Sequence, residues 1–232
     1  GYGAMQLTGP RAFGPPRDHA AALQVLREAV AAGVNYIDTS DYYGPHLVNQ
    51  LIREALFPYP AELTIVTKLG ALRDEGGSWT AALSPADLER GVHDNLQRLG
   101  RETLDVVNLR VGPPLAAADA SIAEPLCALV RLQEQGLIRG IGLSNVTSAQ
   151  IAEGRKLAKI VCVQNHYNLV QRQDDALIDS LARDGIAYVP YYPLGGLTPV
   201  QSATLAEVAQ DVRASTMQVA LAWLLQRAPN IL

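Results

Sequence analysis

Short, unbroken apolar runs alternate with longer amphipathic stretches along this chain, with turn residues between them. The opening GYGAMQL reads as a strand ending between two glycines that flank Tyr2, a turn signal that would also let a ligand approach the backbone. PRDHAAALQVLREAVAAG predicts a helix: Asp18 caps it, Leu23, Leu26 and Val30 make one face, and Gly33 stops it. Val34 to Asp38 follows as a buried strand, and a helix runs from about Leu47 to Leu56. Strand ELTIVTK ends in Lys68, and a long loop, LGALRDEGGSWTAALSP, carries glycine, charge and Trp79. Ser84 caps the next helix, with Pro85 in its first turn, Asp87 near its positive end and Gly100 as its stop. The order repeats: strand TLDVVNLR, a helix through Leu126, Leu129 and Leu132 to Gly136, strand IRGIGLSN, helix SAQIAEGRKLA, strand IVCVQN, helix QDDALIDSLARDG, strand IAYVP. The segment YYPLGGLTP leads into two helical stretches, Leu205 to Val212 and Met217 to Arg227, and PNIL reads as the first residues of another strand.

Strand–helix alternation without runs of hairpins implies a parallel sheet with helical crossovers. Strands that are apolar throughout are covered on both faces. No strand is followed by a full G-x-G-x-x-G, which weighs against an open dinucleotide-binding sheet. Polar side chains gather instead at the C-terminal ends of the strands: Asp38, Lys68, Arg110, Ser144-Asn145, Gln164-Asn165 and Tyr191-Tyr192. In an eight-stranded barrel those ends converge on one mouth. The expected fold is therefore α/β, a (β/α)8 TIM barrel forming one domain over residues 1–232. The chain is shorter than the ~250 residues typical of such barrels, so strand 8 and the C-terminal segment are expected to be missing or truncated. The loop VGPPLAAAD also reads as short.

Composition narrows the classes of function. Apolar residues make up 48% and charged residues 18%, enough for a sizeable core and unlike a disordered chain. A net charge of −4 argues against a nucleic-acid partner or an anionic membrane surface, both of which want clustered Lys and Arg. No apolar run approaches the roughly 18 residues of a membrane span, and no signal-peptide pattern opens the chain. A cytoplasmic protein acting on a small molecule is expected, with Gly1 in place of Met leaving room for residues removed from the front. Cys127 and Cys162 have neither metal-ligand spacing nor a disulfide framework, and read as reduced core thiols; no metal is expected.

The chemistry concentrates in NYIDTSDYYGPH, residues 35–46. A strand delivers Asp38 at its end, and five positions later a loop delivers Tyr43, followed by the turn pair Gly44-Pro45. An acid and a phenol at a strand exit suit proton transfer to a small molecule. A buried carboxylate needs a partner, and Lys68 is the candidate. At this point the residues resemble the aldo-keto reductases, NADPH-dependent enzymes on a (β/α)8 barrel. DTSDYYG resembles the family's D-T-A-x-x-Y-G box, which implies Asp38 as catalytic acid and Tyr43, rather than Tyr42, as catalytic tyrosine. IVTK resembles the strand presenting the catalytic lysine, Lys68. IGLSN and VCVQNHYN resemble the segments that hold the nicotinamide amide, here Ser144, Asn145 and Gln164. YYPLGG resembles the loop whose tyrosine stacks on the nicotinamide, pointing to Tyr191, with Pro193, Leu194 and Gly195 along the pyrophosphate. Gly3, Met5 and Asp38 complete the expected NADPH/NADP+ site, and Tyr42, His46, Trp79 and Arg110 the substrate side. Within the family, LVNQLIREALFPYP, LDVVNLR and GIAYVPYYPLGG resemble bacterial pyridoxal reductases. The resemblance implies hydride transfer to an aldehyde or ketone, pyridoxal among the candidates, by a monomer or weak homo-oligomer. Tyr43 would give the proton, the Lys68 cation would favour its release, and Asp38 would hold Lys68.

Two features depart from the family. Where it has His at the end of the fourth strand, LDVVNLR has Arg110. Val106, Asn108 and Arg110 share one strand face, so if Asp105 faces the helices, Asn108 and Arg110 face the mouth. A guanidinium there could polarise a carbonyl oxygen or pair with an acidic or phenolate oxygen. The family's basic loop for the adenosine phosphate would follow strand 8, where this chain stops. Blander readings compete: Ser144-Asn145 as an N-cap pair for the helix at Ser148, Arg110 as a loop salt bridge, and Trp79 as loop packing. Trp223 reads as core, His19 and His93 as surface, and Arg73-Asp74-Glu75 as solvated loop. Two other functions fit the barrel: a cofactor-sensing regulatory subunit, and an isomerase or aldolase using Lys68 as a Schiff base.

Overall fold

The computed structural model describes residues 1–112, 118–196, 200 and 202–232. Part of the loop VGPPLAAAD, at 113–117, lies outside the described residues. The chain divides into two compact units, Gly1–Ile160 and Val161–Leu232.

The first unit runs β1 (Tyr2–Gly3), two short 3-10 turns (Ala4–Leu7 and Pro10–Ala12), α1 (His19–Ala31), β2 (Tyr36–Asp38), α2 (Leu47–Leu56) and β3 (Thr64–Leu69). It continues with β4 (Ala71–Arg73), β5 (Trp79–Ala81), α3 (Pro85–Leu99), β6 (Leu104–Arg110), α4 (Ala123–Glu134), β7 (Ile138–Ser144) and α5 (Ser148–Leu157). Five strands pair in parallel in the order β1-β2-β3-β6-β7, with a helix between each strand and the next. The helices start and stop where local chemistry dictates. Asp18 accepts from the Ala21 N–H, Ser84 accepts from the Asp87 N–H, and Gly100 closes α3 in the left-handed region at φ 65°. Their apolar stripes, Leu23 and Leu26, Val48, Leu51 and Ile52, Leu88 and Val92, then Leu126 and Leu129, are buried with Ile37, Ile65, Val66, Val107, Leu109 and Ile141 of the strands.

Two expectations need correction, and one competing reading falls. The strand begins at Tyr36 rather than Val34, although the Asn35 carbonyl still accepts from the Thr64 N–H at 2.9 Å. The loop after Lys68 contains an antiparallel ribbon, β4 with β5, closed by a turn in which Asp74 accepts from the Ser78 N–H at 2.8 Å and Gly77 sits at φ 79°. Arg73 thus belongs to a strand instead of a solvated loop. The N-cap of α5 is Thr147, in a capping box with Gln150, so Ser144 and Asn145 are not its cap.

The second unit holds the rest of β8 (Ile160–His166), then α6 (Asp175–Arg183), β9 (Ala187–Tyr191), α7 (Ala203–Asp211) and α8 (Thr216–Arg227). β8 and β9 are parallel and in register from Cys162↔Ala187 to His166↔Tyr191. As PNIL suggested, Ile231 makes a parallel bridge, to Tyr188. Tyr167 and Tyr188 are fully buried edge to face at 5.8 Å. Trp223 stacks on Tyr167 at 6.0 Å and is half-buried rather than core, with the Arg172 guanidinium 5.1 Å over its ring. Among the described residues no disulfide is formed; Cys162 is buried and Cys127 half-buried. Seven parallel strands alternating with helices make the chain α/β, with the strand–helix order of a (β/α)8 barrel through its seventh strand.

Candidate active site

Strand register sets the site of the first unit. Gly3 pairs with Asp38, Lys68 with Asn108, and Arg110 with Ser144, so the polar side chains lie at the C-terminal ends of adjacent strands. Lys68 is 3% exposed. Its Nζ donates to Asp38 Oδ1 at 2.8 Å, to Asp38 Oδ2 at 2.7 Å and to the Thr39 carbonyl at 2.9 Å. The carboxylate is thus held through both oxygens, with the Thr39 carbonyl as a further acceptor. The same Nζ lies 5.1 Å from the centre of the Tyr43 ring. Asp38, Tyr43 and Lys68, dispersed over thirty residues of chain, are thereby brought together.

The loop between Asp38 and α2 is tightly determined. The Tyr43 N–H donates to the Ser40 carbonyl at 3.0 Å, and the Gly44 N–H to the Ala12 carbonyl at 2.9 Å. Gly44 has φ 96°, and a Cβ there would meet Leu47 Cβ at 2.8 Å, so only glycine fits behind the tyrosine. Tyr42 packs edge-on against Tyr43 at 5.5 Å and against Trp79 at 5.0 Å. Burial, with Tyr43 alongside, pushes the Tyr42 phenol up to about 12, although the nearby Arg110 and Lys68 cations pull the other way. It is a neutral wall. Trp79 is partly exposed and carries the Arg73 guanidinium 4.0 Å over its ring, with Phe13 5.4 Å from the same cation.

Arg110 is half-buried and donates to Ser144 Oγ at 3.3 Å. Asn145 sits in the left-handed region at φ 59° and donates to the Val111 carbonyl at 2.8 Å. His46 has a partner of its own: its Nδ1 lies 2.7 Å from Asp41 Oδ2, a carboxylate that also accepts from Arg98. Met5 is half-buried in the first 3-10 turn, and Gly3 opens on free space, since a Cβ there would touch nothing within 4 Å.

In the second unit Gln164 is buried, and its strand neighbour His166 stacks on Tyr191 at 5.3 Å with the rings 10° from parallel. Tyr192, at φ 54°, meets both rings edge-on. Gly195 donates to the Tyr192 carbonyl at 3.0 Å, the Leu194 carbonyl accepts from Val200 at 2.9 Å, and Pro193 lies between them in the turn. Asn165 instead donates to Asp174, the N-cap of α6, at 2.8 Å; Asp174 also accepts from the Tyr188 hydroxyl, and burial with that carboxylate drives the Tyr188 phenol far above its ordinary range. Sequence reasoning missed the His166–Tyr191 stack. It also missed Asn49 and Asn95, fully buried polar residues inside the apolar stripes of α2 and α3. An asparagine interrupting a helix's apolar stripe was the available signal.

The whole chain, residues 1–232, matches the sequence profile of the aldo/keto reductase family. The protein is an aldo/keto reductase family member. It is 64% identical to the pyridoxine 4-dehydrogenase of Escherichia coli (strain K12), over all of this chain and 82% of that one. A thermostable aldo-keto reductase, Tm1743, solved with the inhibitor epalrestat, is 28% identical and superposes with a TM-score of 0.82 over 100% of this chain and 82% of the other. An aldo-keto reductase from Klebsiella pneumoniae solved with NADPH is 20% identical, a likeness of fold alone, with a TM-score of 0.79 over 100% and 78% of the two chains. An oxidoreductase acting on carbonyl compounds is what this family membership entails. Among the described residues, no helix is long and apolar enough to cross a membrane, and no three His, Cys, Asp or Glu are grouped to hold a metal ion.

Proposed function

We propose that this aldo/keto reductase reduces an aldehyde with NADPH, pyridoxal being the first substrate to test, and that Tyr43, Lys68 and Asp38 manage the proton. The observation that carries this reading is the Asp38–Lys68 ion pair lying against the Tyr43 ring. The residues present suit the cofactor. Open space at Gly3 adjoins Asp38, and the Ser144 hydroxyl and Asn145 amide offer the donor and the acceptor that a carboxamide needs. The family resemblance adds Met5, Gln164, Tyr191, Pro193, Leu194 and Gly195. When bound, NADPH supplies the hydride.

The chain's own residues do the rest. The Tyr43 hydroxyl donates its proton to the carbonyl oxygen as negative charge develops there. Lys68, held as an ammonium by Asp38, places its positive charge beside Tyr43 and favours release of the phenolic proton. Asp38 and the Thr39 carbonyl fix that charge. Arg110 stabilises the oxyanion, the task for which the family's usual His is absent here. Tyr42 and Trp79 form an aromatic wall suited to a flat, ring-bearing aldehyde, and His46 borders the same loop. The pyridoxine 4-dehydrogenase relative supports that substrate class. The engaged Lys68 ammonium speaks against a Schiff-base role, since a nucleophilic amine needs a free lone pair.

The test is loss of nicotinamide absorbance with a panel of aldehydes including pyridoxal, run with NADPH and with NADH on the full-length protein. Turnover is expected with NADPH and at least one aromatic aldehyde. Silence across the panel, in a folded protein that still binds NADPH, would favour a sensing role and sink the enzyme reading.

A further inference from the structure

The buried asparagines missed in the sequence form a polar belt behind the site. Thr39 follows Asp38 and Thr67 precedes Lys68, so each threonine is one residue from a member of the ion pair. Thr39 Oγ1 donates to Asn49 Oδ1 at 3.0 Å, and Thr67 Oγ1 donates to Asn95 Oδ1 at 2.6 Å. Asn49 Nδ2 donates to Asn95 Oδ1 at 2.8 Å and to Asp41 Oδ1 at 3.2 Å, and Asn95 Nδ2 donates to the Gly91 carbonyl at 2.7 Å. The polarity of this chain is forced from both ends. The Asp41 carboxylate and the Gly91 carbonyl only accept, so each amide turns its NH2 group to one of them; Asn49 Oδ1 then accepts from Thr39, and Asn95 Oδ1 from both Thr67 and Asn49. Asn49, Asn95 and Thr39 have no exposure, and Thr67 has 1%.

We propose that Asn49 and Asn95 are positioning residues for the Asp38–Lys68–Tyr43 group, acting through Thr39 and Thr67. Three strands of argument converge. The Thr39 carbonyl is itself a Lys68 acceptor, so fixing the Thr39 side chain fixes one of the three bonds that aim Nζ. Asn49 also holds Asp41, midway along the loop from Asp38 to Tyr43, while Arg98 and His46 grip its other oxygen. The belt therefore joins β2, β3 and the tyrosine loop to two helices through one set of directional bonds. Packing alone needs no such set, because apolar side chains of similar volume would fill the same space.

This inference rests on the reductase reading, and its test separates the two. Thr39→Val and Thr67→Val remove a hydroxyl at constant volume, and Thr39→Ser and Thr67→Ser restore it. Asn49→Leu cuts the belt at its centre. Turnover of the best aldehyde should fall about ten- to a hundredfold in the valine variants and recover in the serine variants, since small displacements remote from the chemistry cost that much. The dissociation constant for NADPH, read by fluorescence, should stay within a few-fold. The second readout needs no activity. The chain has three lysines, Lys68, Lys156 and Lys159, so labelled lysine side-chain resonances are simple to assign. In the folded chain without cofactor, Thr39→Val and Asn49→Leu should displace the Lys68 resonance and leave the other two in place. Equal turnover in valine and serine variants, or an unmoved Lys68 resonance in both, overturns the proposal. If the wild type reduces no carbonyl, the reductase reading fails while the lysine spectrum still decides the positioning role.

Discussion

Tyr42 and Tyr43 are neighbours whose rings touch edge to face, yet their surroundings differ. Tyr43 has the Lys68 cation over its ring, while Tyr42 is enclosed with Trp79 on its far side and holds its proton to about 12. Tyr43→Phe should lower turnover by about two to four orders of magnitude, with NADPH affinity nearly unchanged. Tyr42→Phe keeps the ring and should leave turnover within a few-fold. Steady-state kinetics beside a cofactor titration distinguish them, and equal losses in the two variants would remove Tyr43 from the mechanism. In the sequence, Tyr43 was preferred to Tyr42 only through the resemblance of DTSDYYG to the family's D-T-A-x-x-Y-G box. The surroundings of Tyr42 were not legible there, because Trp79 reaches it through a ribbon formed thirty-odd residues later.

At the scale of elements, strand ends had to be brought side by side without crowding. Gly70 follows the Lys68 strand at φ 111°, and a Cβ there would lie 2.3 Å from the Arg110 carbonyl oxygen and 2.9 Å from Leu83. The close passage of β3 past the end of β6 therefore requires glycine. Gly70→Ala should destabilise the chain by about 1–3 kcal/mol through backbone strain and displacement. It should also lower activity by shifting Arg110. Denaturant midpoints measure the first effect, and an unchanged midpoint would show that the strand ends separate easily. Helices were the readable elements: Asp18, Ser84 and Gly100 name their own boundaries. The β4–β5 ribbon was not, since three-residue strands carry too short a pattern to stand out from a charged loop. The α5 cap, Thr147, was not singled out for a related reason, as Ser144, Thr147 and Ser148 all have side chains able to cap.

For the molecule as a whole, buried phenols set the alkaline limit. Burial pushes Tyr42 and Tyr59 up to about 12, and Tyr188 further, against roughly 10 for an exposed tyrosine. A raised value means that the folded chain holds the proton more tightly than the unfolded one. The associated stability is complete below about pH 10 and is lost as pH rises through the folded values. Phenolate absorbance should thus show Tyr42, Tyr59 and Tyr188, among the nine tyrosines, ionising only with loss of circular dichroism. Titration of all nine before any unfolding would contradict the packing. The alternation of strands and helices was visible from hydrophobic runs alone, but the polar belt depends on which helix faces meet, and a linear pattern does not record that. The belt also leaves a mark on descent. Losing one amide strands its partner's polar atoms in a dry interior, whereas exchanging both for hydrocarbon can be nearly neutral. Lineages carrying this fold should therefore alter positions 39, 49, 67 and 95 together or leave all four alone.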